Sequence, residues 1–386
     1  MANYLKNCSL LLALAASRAL AGTVVHDGSL GPNRTLNGPN FIISPSDGKQ
    51  VGGNLFHSFR TLNLNAGDTA NFTGPTSVRN VLARVTDGAI SEIDGTIRST
   101  IPGANLFLMN PAGVIFGPNS ALDIDGAFVA TTADVIKLAD GGKFAGDTVA
   151  NNSVLTSADP SAFGFLKAQP SPMVIVGDFD NVTRARLTTK PQKTLSIVGG
   201  EIATGLGEIR SPGGRINLIS VGGTGEVTGD LVSIDAPPPN LDAFDRLGAV
   251  SLNGLTLLSV SGAPSGRVVV RGASLTMDVQ SSILAANDGP IDSPAVAIVL
   301  VLRDRIDLAG GASIATTNSG SGAGGDIRAF ARVATLSNSD TTGGTITRMN
   351  AFSFGDGPGG NIVGHFRRLN VLGNSNFTTS AASNGA

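Results

Sequence analysis

Several residue types are scarce in this chain of 386 residues. It has no tryptophan, one tyrosine, one cysteine and three histidines, and charged residues make up only 15% of it. A zinc site built from histidine and cysteine is therefore not expected, and we predict neither a metal ion nor a cofactor. The formal net charge of −2 argues against nucleic acid as a partner, because phosphate recognition usually requires a strongly basic surface.

Glycine, in contrast, is abundant, with 51 residues beside 19 prolines. The glycines do not recur at every third position, which excludes a collagen-like triple helix. The hydrophobic fraction of 41% and the low charge also argue against intrinsic disorder. The composition therefore indicates a folded chain with a substantial core and many turns.

The first 21 residues have the pattern of a secretory signal peptide. Lys6 provides a positive charge, residues 10–16 (LLLALAA) form a short apolar run, and residues 19–21 (ALA) are a small-x-small cleavage site. Arg18 ends the apolar run well before the roughly 20 residues that a transmembrane helix needs. We therefore expect a signal peptide over residues 1–21.

Cleavage after residue 21 would leave a mature chain of 365 residues. Its formal net charge would be −4, because Lys6 and Arg18 are removed without any acidic residue. Cys8 is removed as well, so the exported chain would contain no disulfide even in an oxidising compartment. Its stability must then come from backbone pairing and from its core. A chain without cross-links also suits passage through a second membrane in an unfolded state.

Short strand patterns separated by turn residues dominate the remainder of the chain. Apolar and polar residues alternate with period two in residues 62–65, 93–97 and 216–219, and short apolar runs are bounded by Gly, Asn, Asp or Pro. Stretches with helical periodicity are scarce after residue 21. These patterns predict an all-β fold.

A loose repeat follows from about residue 195, in which a glycine opens a strand and isoleucine or valine stands two residues later. The glycines are Gly214, Gly266, Gly325, Gly344 and Gly360. Their spacing is irregular but suits coils of about 20 residues with insertions. Few tight Asn-Gly hairpins occur, which favours a solenoid over a sandwich. We therefore predict a right-handed single-stranded parallel β-helix with an N-terminal cap.

Residues 104–132 contain three tight corners between short strands. In the first corner, Pro111 fixes its own φ, Asn110 before it is held extended, and Gly113 supplies a permissive position. Further turns are predicted at residues 117–119 and 125–126. This spacing is typical of one coil of a β-helix and the start of the next.

The first of these corners resembles a known family signature. Residues 110–117 (NPAGVIFG) are similar to the Asn-Pro-x-Gly-(Ile/Val) motif of the haemagglutination-activity, or two-partner secretion, domain, whose namesake is filamentous haemagglutinin. Residues 53–59 resemble a second block of that family. The residues that carry the two resemblances are Asn110, Pro111, Gly113, Val114, Ile115, Phe116 and Gly117, and Asn54, Leu55, Phe56, His57 and Phe59.

The resemblance implies a protein of secretion and adhesion without catalysis. Members of this family reach the periplasm by a signal peptide, are recognised there by an outer-membrane β-barrel transporter with periplasmic domains, and fold as a β-helix outside the cell. We therefore expect a secretion domain at residues 22–165 and continuing β-helical repeats at residues 166–386. The product would be secreted or exposed at the cell surface, as an adhesin whose receptor is a protein or a glycan.

Two alternatives use the same kind of fold. The chain could be the export module of a longer contact-dependent toxin or haemolysin, since residues 380–386 read as the turn before another coil. We expect the sequence to be either a fragment of a longer protein or a short member with a weak cap.

A β-helical polysaccharide-active enzyme is the second alternative. Asp123 and Asp125 share a strand face and could bind a cation, as could Asp178 and Asp180. Residues 320–325 formally fit Gly-x-Gly-x-x-Gly, but no helix follows them to hold a phosphate. We therefore interpret the carboxylates and the glycines as turn residues, and His57 as a packing or turn residue.

Overall fold

The computed structural model describes residues 22–147, 153–339 and 344–381. The predicted signal peptide (residues 1–21) and most of the predicted C-terminal turn (residues 382–386) lie outside the described residues. In the described part of the chain, no helix is long and apolar enough to cross a membrane.

The described residues form strands, together with one short 3-10 turn at Pro45–Asp47. In chain order the strands are β1 (Thr23–His26), β2 (Asn40–Ile43), β3 (Gly48–Val51), β4 (Asn54–Asn63), β5 (Thr69–Phe72), β6 (Asn80–Val85), β7 (Ser91–Ile93), β8 (Thr96–Ser99), β9 (Asn105–Met109), β10 (Val114–Phe116), β11 (Ala121–Asp123), β12 (Phe128–Thr131), β13 (Val135–Leu138), β14 (Lys143–Ala145), β15 (Pro160–Phe165), β16 (Met173–Val176), β17 (Ala185–Thr188), β18 (Thr194–Gly199), β19 (Ile202–Gly205), β20 (Gly207–Arg210), β21 (Arg215–Ser220), β22 (Gly225–Thr228), β23 (Ala249–Asn253), β24 (Leu257–Ser259), β25 (Arg267–Met277), β26 (Ser282–Asn287), β27 (Val296–Leu308), β28 (Ser313–Asn318), β29 (Asp326–Asn338), β30 (Thr347–Ser353), β31 (Ile362–Gly373) and β32 (Ser375–Ala381).

Most of these strands stack in parallel on three faces of one solenoid. The first face consists of β4, β6, β9, β12, β18, β21, β25, β27, β29 and β31. The second consists of β7, β10, β16, β19 and β23. The third consists of β2, β5, β8 and β11, followed by β17, β20, β24, β26, β28, β30 and β32. The prediction of a parallel β-helix is confirmed.

The late coils are simpler than the early ones because their first and second faces merge. Strand β25 pairs with β21 through its first half and with β23 through its second half. Strands β27, β29 and β31 continue this arrangement as long strands of 12 or 13 residues. The pairing of β27 with β29 shifts register twice, whereas β29 and β31 pair without a shift. Four of the five predicted strand-opening glycines lie one or two residues before a strand of the first face, namely β21, β25, β29 or β31. The fifth, Gly344, lies three residues before β30 of the third face.

Inward side chains at equivalent positions form a continuous apolar column through the solenoid. Their backbones pair in register from coil to coil, and nearly all are buried. The column consists of Leu55, Val81, Leu106, Phe128, Leu195, Ile216, Val268, Ile298, Ile327 and Ile362. Each coil therefore buries its apolar face only by stacking on its neighbours, as in other solenoids.

Coil length changes along the chain. Asn54 pairs with Asn80 and Asn80 with Asn105, so the early coils are 26 and 25 residues long. Ile298 pairs with Ile327 and Ile327 with Ile362, so the late coils are 29 and 35 residues long. Leu106 pairs with Phe128 and Leu195 with Ile216, so these coils have 22 and 21 residues, close to the predicted length of about 20. The longer coils carry insertions.

An N-terminal cap closes the first coil, as predicted. Strands β1 and β3 both run antiparallel to β4, with His26 opposite Phe59 and Gly48 opposite His57. They cover the edge of β4 that faces away from β6. An exposed edge strand is an invitation to pair with another chain, and the antiparallel cap removes it.

A second, antiparallel sheet lies outside the solenoid and was not predicted. Two segments leave the solenoid, and we call them excursions. The first lies between β12 and β16 and contains β13, β14 and β15, and the second lies between β21 and β23 and contains β22, which pairs with β15. The side chains of this sheet pack on the outward side of the first face. This external core contains Phe56, Leu82, Phe107, Val129, Phe144, Phe163, Phe165, Ile219 and Phe244.

Backbone strain at the corners generates a stability prediction. Gln280 is exposed and has a φ of 55°, a left-handed conformation that costs a residue with a side chain about 1 kcal/mol. We expect Gln280→Gly to raise the urea midpoint of the mature chain, because glycine adopts this conformation without strain. Gln50→Gly is the control, since Gln50 lies in β3 without positive φ and should lose stability. A lower midpoint for Gln280→Gly would contradict the prediction.

Candidate functional site

The predicted secretion motif lies at the corner between β9 and β10. The amide of Gly113 donates to the carbonyl of Asn110 (3.0 Å), which closes a four-residue turn, and the amide of Ala112 donates to the Asn110 side chain (2.9 Å). Gly113 has a φ of +123°, a conformation that favours glycine. The turn that the sequence predicted is therefore present.

The side chain of Asn110 joins this corner to the preceding coil. Its Nδ2 donates to the carbonyl of Ala89 and to the hydroxyl of Ser91, both at 2.9 Å. Asn110 and Ser91 are each 1% exposed, so the hydrogen bond between them is shielded from water. Removing the amide would leave the buried Ser91 hydroxyl without this partner, which is costly.

The apolar residues of the motif point in opposite directions. Val114 and Phe116 lie in the interior of the solenoid. Ile115 faces outward and packs against Val174 and Ala203 of later coils. Gly117 follows β10 and lies close to the carboxylate of Asp94. A Cβ at this position would be 2.5 Å from a carboxylate oxygen of Asp94, which is too close, so glycine is needed here.

Pro111 forms hydrogen bonds with residues far along the chain. Its carbonyl accepts hydrogen bonds from Lys167 Nζ (2.5 Å) and Ser171 Oγ (2.7 Å). Both donors lie between β15 and β16, where the chain returns to the solenoid. The motif therefore anchors the end of the first excursion.

The second predicted block forms the first half of β4. Leu55, His57 and Phe59 point into the solenoid, whereas Phe56 points into the external core and meets Phe144 edge-on at 5.2 Å. All four side chains are fully buried. The block thus packs both cores of the molecule.

Asn54 begins a ladder of amide side chains that runs through three coils. Its Nδ2 donates to the carbonyls of Thr156 (3.0 Å) and Ala158 (2.7 Å). The Asn80 amide donates to Asn54 Oδ1, and the Asn105 amide donates to Asn80 Oδ1, both at 3.0 Å. The ladder fastens the external sheet to the solenoid and was not recognised from the sequence.

A buried arginine of β6, Arg84, also holds the external sheet against the solenoid. Arg84 is 3% exposed, lies 4.7 Å over the ring of Phe144, and donates to Ser58 Oγ (2.8 Å) and to the carbonyl of Ala145. Burial lowers the pKa of the Arg84 guanidinium, and the carboxylate of Asp27 opposes that shift.

Asp27 completes this network from the N-terminal cap. Its carboxylate accepts hydrogen bonds from Ser58 (2.6 Å), Ser29 (2.7 Å) and Thr86 (3.0 Å). Burial raises the pKa of this carboxyl, but these hydrogen bonds outweigh burial and the net shift is downward. Cap, solenoid and external sheet therefore meet at one ionic group.

A second buried arginine fastens the later excursion in the same way. Arg215 is fully buried and donates to Asn217 Oδ1 (2.7 Å) and to the carbonyls of Ala236 and Pro237. Burial, together with the nearby Arg267, lowers the pKa of Arg215 to about 10. The sequence showed this arginine only as part of a Gly-Arg-Ile strand opening.

Two histidines are buried beneath the cap. His26 stacks on Phe59 with ring centroids 4.6 Å apart, and His57 lies 6.3 Å from His26. Neither imidazole has a side-chain hydrogen-bond partner of standard geometry among the described residues. Burial lowers the pKa of both, and for His57, where the charge of His26 adds to the effect, it falls to about 3. Both rings are therefore neutral in the folded chain.

The carboxylate pairs proposed for catalysis or cation binding are engaged elsewhere. Asp123 forms an ion pair with Arg98 (3.2 Å), and Asp125 forms one with Lys190 (3.0 Å). Asp178 accepts hydrogen bonds from the backbone of Asp180 and from Asn181 in a local turn. In the described ranges, no group of three or more His, Cys, Asp or Glu residues could hold a metal ion.

The glycine-rich stretch at residues 320–325 stacks on equivalent loops of the adjacent coils. A Cβ at Gly320 would lie 2.1 Å from the carbonyl of Gly289, and a Cβ at Gly355 would lie 2.3 Å from the carbonyl of Gly320. Glycine is needed because backbone rests directly on backbone. This packing accounts for the glycines without a nucleotide.

Burial is thus the common property of the predicted site residues. Among the residues of the two blocks, only Pro111, Ala112 and Ile115 are partly accessible in the folded chain. Another protein could contact the remaining side chains only if the chain were unfolded.

The chain is similar to one family model and to solved secretion domains. A family model described as the TPS secretion domain matches residues 22–237, more than half of the chain. The solved HMW1 secretion domain from Haemophilus influenzae is 16% identical, with 94% of this chain and 98% of that chain covered and a TM-score of 0.47. The solved filamentous haemagglutinin secretion domain is 14% identical, with 95% and 100% covered and a TM-score of 0.39. No curated protein matches the sequence significantly.

The corner at Gly113 generates a folding prediction. We expect Gly113→Val to destabilise the chain by roughly 2 kcal/mol, because a β-branched residue is strained at positive φ. Its Cβ would also lie 3.3 Å from the carbonyl of Pro172. Gly67→Val is the matched control, since Gly67 also has positive φ but its added Cβ meets no atom within 4 Å. Urea midpoints that fall equally in both variants, or in neither, would contradict the role assigned to packing at this corner.

The buried histidines generate a pH prediction. Their pKa values are lower in the folded chain than the value of 6.5 expected in the unfolded chain, so the unfolded state binds more protons below that pH. Stability should therefore fall as the pH drops from about 7.5 to about 5, with a loss of about 2 kcal/mol from His57 at the lower pH. Urea midpoints measure this slope.

Variants identify the source of that slope. His57→Gln should flatten the pH dependence, and His26→Gln serves if that variant does not fold. His365→Gln is the control, because His365 is exposed and its replacement should leave the slope unchanged. A wild-type midpoint that does not change across this pH range would show that the two histidines are not buried as neutral groups.

Proposed function

The chain belongs to the TPS secretion domain family, and from this premise we propose that it is an adhesin-like exoprotein whose N-terminal part directs its own export. Membership implies an exported protein and a partner transporter in the outer membrane. The finer elements of the proposal are the signal peptide at residues 1–21, the two motifs as recognition elements, and adhesion as the end use.

Burial of the motifs is the observation that carries the proposed mechanism. Asn54, Phe56 and Asn110 are at most 1% exposed, so a transporter can contact these side chains only before the chain has folded. An unfolded segment can add as a strand to the edge of a sheet in the transporter's periplasmic part, with pockets for alternate side chains giving specificity. Both blocks lie in strands or at their ends, which suits that mode of binding.

Folding outside the cell then follows coil by coil. Each coil pairs in parallel with the one before it and buries its apolar column on it, so a folded coil is the template for the next. Residues 22–386 contain no cysteine, so no disulfide would block passage of the unfolded chain through the transporter. Folding on the outer side would make passage directional.

We propose that residues 22–165 act as the secretion unit and that residues 166–386 present the binding surface. The Asn54 ladder and Arg84 both bond to the excursion that ends with β15, which supports including the chain up to residue 165 in the secretion unit. The carboxylates considered for catalysis are held in ion pairs and turns, so we assign no enzymatic role to the chain.

Export with paired asparagine variants tests the proposal. Asn54 and Asn318 are both fully buried, and each donates its amide to two backbone carbonyls, those of Gly357 (2.9 Å) and Pro358 (3.3 Å) in the case of Asn318. Replacing either by alanine should destabilise the folded chain by a similar amount, about 1–3 kcal/mol. Only Asn54→Ala should reduce export, because only Asn54 lies in the recognition block.

The measurement is the fraction of chain in the medium against the fraction in the periplasm, with the cognate outer-membrane transporter co-expressed. Urea midpoints of the two purified variants show that their stabilities match. Equal export of both variants would remove Asn54 from recognition. Equal secretion with and without the transporter would refute the proposed route itself.

A further inference from the structure

The outward side of the first face changes character along the solenoid. Over the early coils it is apolar and is covered by the external sheet. Over β27, β29 and β31 it is uncovered, and its exposed positions are mostly cationic or aromatic. We call this surface the arginine face, which consists of Arg303, Arg328, Phe330, Arg332, His365 and Arg367.

Strand register places these side chains in neighbouring rows. Phe330 pairs with His365 across adjacent coils, and their rings stack in parallel with centroids 4.7 Å apart. The next outward residues, Arg332 and Arg367, follow them on the same two strands. Arg328 lies two residues before Phe330, on the same side of β29.

The positive charges of this surface are only partly compensated. Arg332 lies 3.6 Å from Asp304, while Arg303 donates to the backbone carbonyls of Phe244 and Asp245 and to no carboxylate. In the described part of the chain, Arg328 and Arg367 form no ion pair. Like charges on neighbouring strands destabilise a sheet, so the fold gains nothing from this cluster.

The positive charge of this surface contrasts with the net charge of the whole chain. The sequence is slightly acidic, with a formal net charge of −2, yet four arginines converge on three adjacent strands. The aromatic pair lies in the middle of them. A ligand that combines repeated negative charge with flat apolar ring faces would match both features.

We propose that the arginine face binds a linear anionic polysaccharide. Its carboxylate or sulfate groups would pair with the guanidinium groups in charge-assisted hydrogen bonds, and the apolar face of a sugar ring would pack on Phe330. Strands in a sheet are about 4.8 Å apart, close to the length of one sugar residue in an extended polymer, so successive coils can present arginines to successive sugars. The inference deepens the proposed adhesive function and rests on it for the location of the ligand outside the cell.

Binding of defined polymers to the purified mature chain tests this inference. The probes are polyglucuronate, which carries carboxylates, a sulfated dextran, and neutral dextran, measured from about 50 mM to about 500 mM NaCl. We expect binding to at least one anionic polymer that weakens with salt, and no binding to neutral dextran. The preferred anionic probe identifies which acidic group is recognised.

Charge-reversal variants locate the site. Arg332→Glu with Arg367→Glu should lower the affinity about tenfold or more, since it replaces attraction by repulsion at two positions. Arg348→Glu is the matched control, because Arg348 is an exposed strand arginine that lies on the third face, in β30, next in the chain after β29. Its affinity should stay within about twofold of the wild type. If the double glutamate variant does not fold, the double glutamine variant replaces it.

Other results would overturn the inference. These are no binding to either anionic polymer, an equal loss in Arg348→Glu, no loss in the double variant, or equal affinity for a DNA duplex, which would indicate recognition of charge alone. Binding is measured on purified chain, so it does not depend on export. A chain that is exported by its transporter but binds no polymer would contradict this inference and leave the export mechanism intact.

Discussion

Parallel backbone pairing between successive coils is the constraint on which this structure depends. Between β4 and β31, the two ends of the first face, each strand pairs with a strand of the coil before it and with one of the coil after it. The inward column of aliphatic and aromatic side chains repeats with the same period and is buried only when coils stack. The first coil therefore needs a cap on its outer edge, which β1 and β3 provide.

Buried polar side chains, together with the external core, attach the two excursions to this stack. The first excursion is held by the Asn54 ladder and by Arg84, and the second is held by Arg215. In each case a buried cation or amide donates to backbone carbonyls of the excursion. Such groups contribute little net stability when paired but are costly when left unpaired, so they select one position for each excursion.

The repetitive part of the fold was predictable from sequence, and the attachments were not. Period-two alternation and glycine-bounded strands indicated the solenoid, and the Pro111 and Gly113 pair indicated a corner with positive φ, because these depend on local backbone preferences. The external sheet was missed because β13 to β15 have the same short apolar pattern as solenoid strands, and only tertiary packing decides which sheet they join. A usable signal was present in Asn54, Asn80 and Asn105, which recur every 25 or 26 residues before an apolar pair.

Different residues of this chain are accessible in its unfolded and folded states. Most residues of the two blocks are accessible only in the unfolded chain, since folding places Asn54, His57 and Asn110 inside the cap, the solenoid and its corners. The arginines on β27, β29 and β31 converge only in the folded chain, since they come from coils 29 and 35 residues apart. If both proposals hold, one sequence presents export signals before folding and a binding surface after it. Folding would separate the two, because the stacking that assembles the arginine face also buries Asn54 and Asn110.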